Sequence, residues 1–319
     1  MDHPTMATER IQMIIAKELE RQKAKLASEE QSSTAKKNNS FNPKDLWLNK
    51  KGCPIGSVPI RKMSKQQLQI VRNEQRAQYN KLGNHSYAAT SLRDFAGLLI
   101  GNAPSERFTG AKATMTIWNP KLRGENQYSS ASLYVEDGDN QIRVGWIVHP
   151  ALYGFVVTTN VVPLDYAFPN MSVLYGEQFD VTLQVVKRST GDWEFLYNGQ
   201  QLGTWTSSIF SKMGESASQL RFGGECYQPE NQDVSPQMGS GGRFRKGKYD
   251  RTAYMRQLSY TDPIYGDAVL DDSMVQVQTS RCYYATNEGY NFNDDWYGYN
   301  FMYGGKGGKD GAECFDDSL

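Results

Sequence analysis

From about Phe108 onward the chain is predicted to be all-β, an antiparallel sandwich of jelly-roll type, on three observations. Runs such as GAKATMTIWNP, SSASLYVEDGDNQIRVGWIV and SQLRFGGECYQ are short and rich in the aromatic and β-branched residues that suit a pleated surface. Turn chemistry separates them at regular intervals, as in sandwiches. Hardly any stretch there repeats at the helical period.

The elements follow in order. Over residues 5–30, Ile11, Ile14, Ile15 and Leu19 make a short apolar stripe among Glu, Lys and Arg, which predicts a charged, solvated helix. SEEQSSTAKKNNSFNPK is polar and rich in breakers, so it reads as a linker. The strand-like runs begin at Phe108. Glu136-Asp137-Gly138-Asp139-Asn140 and Asn198-Gly199 have hairpin-turn chemistry. Glu136 and Asp139 are expected in that turn, and Glu177 and Glu194 beside turns and exposed. NEGYNFNDDWYGYNFMYGGKGGKDGAEC reads as a surface loop without regular structure. It would be tied by Cys282 and Cys314 if the chain meets an oxidising compartment.

The chain has 319 residues, with 35 basic and 35 acidic side chains. That balance gives no argument for a nucleic-acid partner, which calls for a basic face. No apolar run approaches the roughly 20 residues of a membrane span. MDHPTMATERIQMIIAKELERQKAKL has no apolar signal core, which read literally means cytosolic. Three triplets point the other way by fitting the N-glycosylation pattern: Asn38-Asn39-Ser40, Asn84-His85-Ser86 and Asn170-Met171-Ser172. The histidines His3, His85 and His149 are far apart and no Cys-x-x-Cys occurs, so neither a metal nor a cofactor is expected.

One strand holds the central question. In NQIRVGWIV, Ile142, Val144 and Trp146 alternate with Arg143, Gly145 and Ile147. Arg143 is either a solvated charge or part of a cleft.

NPKDLWLNKKGCPIGSVPIRK resembles the pro-segment of plant neprosin-type proteins. NHSYAAT, FTGAKATMTIWNPKL, NQYSSASLYV, GWIVHPALYG, RFGGE, SPQMGSGG and CYYATNEGYNFNDDWYGYNFMYGG are similar, in order, to that family's catalytic domain. The likeness spans about residues 41–314. It divides the chain into a helix and linker (1–35), an activation-peptide-like segment (36–80) and a sandwich domain (81–319). What it implies is a secreted zymogen, a glutamic peptidase that cuts after proline in acid. Two glutamates would face each other across a groove. One takes a proton from the attacking water, and the other, kept protonated, polarises the amide.

The resemblance implies that Glu225, in Gly223-Gly224-Glu225, is one of the pair, the glycines admitting a substrate backbone. Where the family has its other glutamate, two residues before Gly-Trp, this chain has Arg143. A guanidinium stays protonated and cannot act as a base. Facing Glu225 it would lower that carboxyl's pKa and remove the acid form. Gln141, one strand repeat away, is the neighbour that could substitute. Trp146, Trp205 and Tyr227 are candidate walls for a proline ring, with core packing as the ordinary alternative for each. Two further departures are expected to matter. The stretch after HPALYG lacks a segment with a Cys pair that the family usually carries. Cys226 follows Glu225 and is expected to be a buried, small apolar residue. Three functions fit: a peptidase on proline-containing peptides, an inactive relative binding peptide or cell-wall polysaccharide through the same groove, or a lectin-like sandwich using its Tyr- and Asn-rich tail.

Overall fold

The computed structural model describes residues 93–309, apart from 102–105, 125–126, 149–155, 158–167, 169, 230–231, 243–244, 246 and 281. The predicted N-terminal helix, the activation-peptide-like segment and Cys314 lie outside the described residues. The chain divides into two units, Met1–Pro43 and Lys44–Leu319, and every described residue belongs to the second.

The regular elements of the described residues are strands, with 3-10 turns at Ser207–Ile209 and Asp272–Met274. Strands are numbered in chain order. The first sheet has the order β13 (Val275–Gln278), β1 (Arg93–Ile100), β9 (Gln219–Tyr227), β3 (Tyr128–Asp137), β4 (Asn140–Val148), all pairs antiparallel. The second runs β14 (Tyr284–Tyr290), β15 (Tyr299–Gly304), β11 (Ala253–Asp262), β2 (Gly110–Thr116), β6 (Asp180–Lys187), β7 (Trp193–Tyr197), β8 (Gln200–Trp205), β5 (Val156–Val157). Off this path β12 (Gly266–Val269) pairs with β11. A small ladder joins β10 (Val234–Ser235) to β16 (Gly308–Lys309).

The sheets face each other because each strand alternates. From the first sheet Ala96, Leu98, Leu133, Val135, Ile142 and Phe222 enter the core; from the second come Ala113, Met115, Leu183, Val185, Met255 and Phe301. β1 lies against β14 and β15. The predicted all-β sandwich is therefore the fold. Its two hairpin turns form as expected: Asp137 pairs with Asn140 around Gly138 (φ 57°), and Tyr197 with Gln200 around Asn198 and Gly199 (φ 47° and 78°). Positive φ at both central residues, as at Asn198 and Gly199, is a turn that matches strand twist.

Three expectations are corrected. Glu136 is not a turn residue; it sits in β3, 8% exposed, paired with Arg221. Glu194 is not exposed; it lies in β7, buried, and Arg188 donates to it. The tail is not irregular. Its residues 287–290, with the preceding 284–286, and 299–304 form a hairpin at the edge of the second sheet, and Tyr299, Phe301 and Tyr303 are 0–2% exposed. The period-2 spacing of those three aromatics was the strand signal, and the surrounding glycines and asparagines obscured it.

Candidate functional site

The outer face of the first sheet, turned away from the core, carries the predicted site. β9 places Gln219, Arg221, Gly223, Glu225 and Tyr227 there, since Leu220, Phe222 and Cys226 fill the core. β3 aligns Tyr128, Ser130, Ser132, Tyr134 and Glu136 on the same face, and β4 contributes Gln141, Arg143 and Gly145.

Arg143 is turned toward Glu225. Its Nη1 donates to Glu225 Oε1 at 2.9 Å, its Nε to Ser132 Oγ at 3.0 Å and its Nη2 to Ser130 Oγ at 2.5 Å. The guanidinium thus runs along β3, held by two serine hydroxyls of one strand face. Tyr134 lies beneath it, ring centroid 5.0 Å from Cζ. Arg221 also approaches that ring, 4.2 Å from the same centroid, with Nε and Nη2 donating to Glu136 at 2.7 and 2.6 Å. The Tyr128 hydroxyl donates to Glu225 Oε1 at 2.5 Å, and Tyr128 stacks on Tyr227.

These groups are withdrawn from water. Ser130, Ser132, Tyr134 and Tyr128 are buried, Glu225 is 7% exposed, and the Arg143 side chain keeps 21% of its surface. Burial by itself raises the Glu225 carboxyl. Arg143 leads the groups that oppose this, followed by Arg93, the Tyr128 hydrogen bond and Arg221, and the carboxyl ends below its usual range. Burial works against the Arg143 charge as well, yet Tyr134, Glu225 and Tyr128 raise its pKa further. Burial foremost, then the Glu225 charge, push Tyr128 well up. The resting state is a carboxylate beside a fixed cation and two neutral phenols.

The other predicted residues divide. Tyr227 and Gly223 share the face of Glu225. Gly223 is needed there because a Cβ would lie 2.7 Å from Phe95 Cζ and 2.4 Å from the Ala96 carbonyl oxygen. The ring of this chain's own Phe95, not an open track, lies over it. Gly224 points the other way, where a Cβ would meet Met238 Sδ at 2.6 Å. Trp146 is also on the core side, 5% exposed, its Nε1 donating to Thr116 O at 2.8 Å, so it walls no groove on this face. Trp205 packs against the core from the second sheet. Gln141 is exposed and donates to Glu136 rather than approaching Glu225. Cys226 is a buried core residue as expected, its thiol pushed up to about 12 by burial. Cys282 is buried and disulfide-bonded.

Sequence reasoning missed Tyr128, Ser130, Ser132, Tyr134 and Arg221, which build the environment of the pair. The signal was the alternation in YSSASLYVED, where hydroxyl-bearing residues recur every second position and Ala131, Leu133 and Val135 take the core side. No cluster of three metal-ligating side chains occurs among the described residues. Nor is any described helix long and apolar enough to cross a membrane.

Residues 152–306 match the Neprosin family model. The matched stretch includes Glu225, Tyr227 and the β14–β15 hairpin and begins beyond Arg143. The match covers 155 of the 319 residues, so this stretch of the chain is similar to the neprosin family.

Proposed function

We propose that this chain descends from a glutamic peptidase of post-proline type and has lost hydrolysis, keeping the strand face as a binding surface for peptide. The observation that carries this is the 2.9 Å contact between Arg143 Nη1 and Glu225 Oε1. Paired-carboxyl hydrolysis needs one carboxyl ionised to activate water and the other protonated to donate. Here the second carboxyl is a guanidinium, and the first is held ionised by it. The nearest alternative carboxylate on the face, Glu136, stands six residues along β3 from Ser130, the partner of Glu225. That is about 20 Å by strand rise, too far to share a proton or a water with it. Extracellular residence is part of the reading, supported by the disulfide at Cys282 and the exposed sequon residue Asn170. Cell-wall polysaccharide is the alternative ligand for the same face.

The test is cleavage of a proline-containing peptide in acid by the chain after removal of the segment ending near residue 80. Wild type is expected to show no turnover above the Glu225→Gln variant. Arg143→Glu restores the second carboxyl and is expected to create measurable cleavage, which Glu225→Gln then abolishes. Wild-type cleavage that Glu225→Gln removes would sink the proposal.

A further inference from the structure

On the opposite outer face, that of the second sheet, a different constellation is built around Trp296. The hairpin loop 291–298 joins β14 to β15 and folds back over β11. Beneath it β11 carries a bulge: Arg256 pairs with Thr114 and Ser259 with Lys112, so Gln257 and Leu258 together oppose Ala113. Gln257 adopts φ 55°, a left-handed conformation unusual for a side chain of its length.

The N–H donors of that strained residue go to the loop. Gln257 N donates to Tyr297 O at 2.8 Å, and its Nε2 donates to Asp295 O at 2.5 Å and Trp296 O at 3.1 Å. Arg256, the first bulge neighbour, does the same from the other side. Its Nη1 donates to Trp296 O at 2.9 Å, and its guanidinium lies 3.7 Å from the Trp296 ring centroid. Asp180 fixes that guanidinium with a 2.8 Å contact to Nε. Tyr297 meets the indole edge-on at 4.8 Å. The indole is therefore immobilised from behind and beside. Even so, 47% of Trp296 remains exposed, and Phe292 in the same loop is 85% exposed. A bulge and a left-handed Gln are costs that persist only where the surroundings impose them, and such outliers gather at ligand sites. Here they hold a large apolar ring in water.

We infer that Trp296 is the stacking platform of a second binding site, one for a neutral oligosaccharide built of hexopyranose rings. A rigid, half-exposed indole offers an apolar plane to the C–H face of a sugar ring. Its neighbours in the loop, Asn293 and Asp294, are exposed; Asp294 Oδ1 takes the Trp296 backbone N–H at 3.0 Å, and Asn293 and the rest of the Asp294 carboxylate can accept from the hydroxyls at the sugar's rim. The charge around the ring selects among partners. The Arg256 cation is paired with Asp180 behind the ring, and Asp294 stands exposed beside it, which disfavours an anionic membrane surface and uronate chains alike; a protein partner would want a broader apolar patch than one indole and one phenyl.

The experiment titrates the full chain with cellohexaose and laminarihexaose as neutral probes, and with oligogalacturonate. Saturable binding of at least one neutral probe is expected, unchanged by Glu225→Gln and weakened about tenfold or more by Trp296→Ala. Oligogalacturonate should bind more weakly than the neutral chains. Trp296→Phe keeps a ring and should retain part of the affinity. Should Trp296→Ala not fold, protection of Trp296 from N-bromosuccinimide oxidation by the neutral probe, mapped by mass spectrometry, gives the same readout. Absence of saturable binding to both neutral probes overturns the inference. So does wild-type affinity in a folded Trp296→Ala, or a loss that appears only with anionic vesicles or with peptide.

Discussion

The two outer faces of the sandwich use one chemical unit to opposite ends. Each sets an arginine against a carboxylate and an aromatic ring. On the first sheet, Arg143 meets Glu225 over Tyr134, and the ring is 1% exposed. On the second, Arg256 meets Asp180 behind Trp296, and the ring is 47% exposed. The difference lies in what surrounds the pair. Arg143 is embedded in hydroxyls of β3 and a second Arg–Glu pair, so its charge is consumed locally. Arg256 spends a donor on a loop carbonyl and pushes the aromatic outward. An ion pair therefore does not say whether a surface is closed or offered; the exposure of the ring beside it does.

The comparison is broken most strongly at Arg143. A buried pair loses about 3–5 kcal/mol when one partner is removed, because the other charge is left unpaired in a poor solvent. Arg143→Met is expected to destabilise the fold by that amount in urea or thermal unfolding. Arg143→Met combined with Glu225→Gln should recover most of the loss, since no lone charge then remains buried. A double variant as unstable as the single one would show that packing, not charge, is what Arg143 supplies.

A second, smaller effect follows with pH. The Glu225 carboxyl is depressed in the folded state, so it takes up a proton less readily than in the unfolded chain. Its contribution to stability is present above the unfolded value of about 4.3 and is lost as pH falls through the lower folded value. Removing Arg143 takes away the foremost of the lowering causes and leaves burial, the largest of all, opposed only by Arg93, the Tyr128 hydrogen bond and Arg221. In Arg143→Met the loss of stability as pH falls through the carboxylate range should then be shallower than in wild type, or of the opposite slope. Unfolding midpoints measured from pH 3 to 7 in both proteins check the sign. Parallel curves would mean that the Glu225 charge is balanced by groups other than Arg143.

How much of this was legible in the sequence differs between the faces for a physical reason. Strand alternation revealed the first face, because NQIRVGWIV fixes Arg143 opposite to Ile142 and Val144 whatever the rest of the chain does. That Arg143 reaches Glu225 depends on β3 lying between β4 and β9, a long-range pairing that periodicity does not specify. Trp146 shows what alternation does specify: it lies three residues on from Arg143, an odd step that puts it on the core face, so of its two readings, groove wall or core, the core one holds. The second face was nearly silent. Its bulge at Gln257 and Leu258 is a local slip of register, and AYMRQLSYTD carries no residue type that announces one. The hairpin that holds Trp296 was masked by glycine and asparagine, which are common to irregular loops and to tight turns.

The smallest expected effect tests the second face at that slip. Gln257→Gly relieves a left-handed backbone, worth about 1 kcal/mol or somewhat more in favour of the variant. It also removes the two hydrogen bonds that Nε2 gives to the loop, exposed bonds worth about 0.5–1.5 kcal/mol each. The terms nearly cancel, so the unfolding free energy should change by less than about 1 kcal/mol. The loop itself should not be neutral, because it loses two of its ties while β11 keeps its place. Faster amide exchange confined to residues 295–297, at unchanged global stability, is the expected signature. A global loss comparable to that of Arg143→Met would mean that the bulge serves the core rather than the loop, and the two faces would then differ less than their exposed and buried rings suggest.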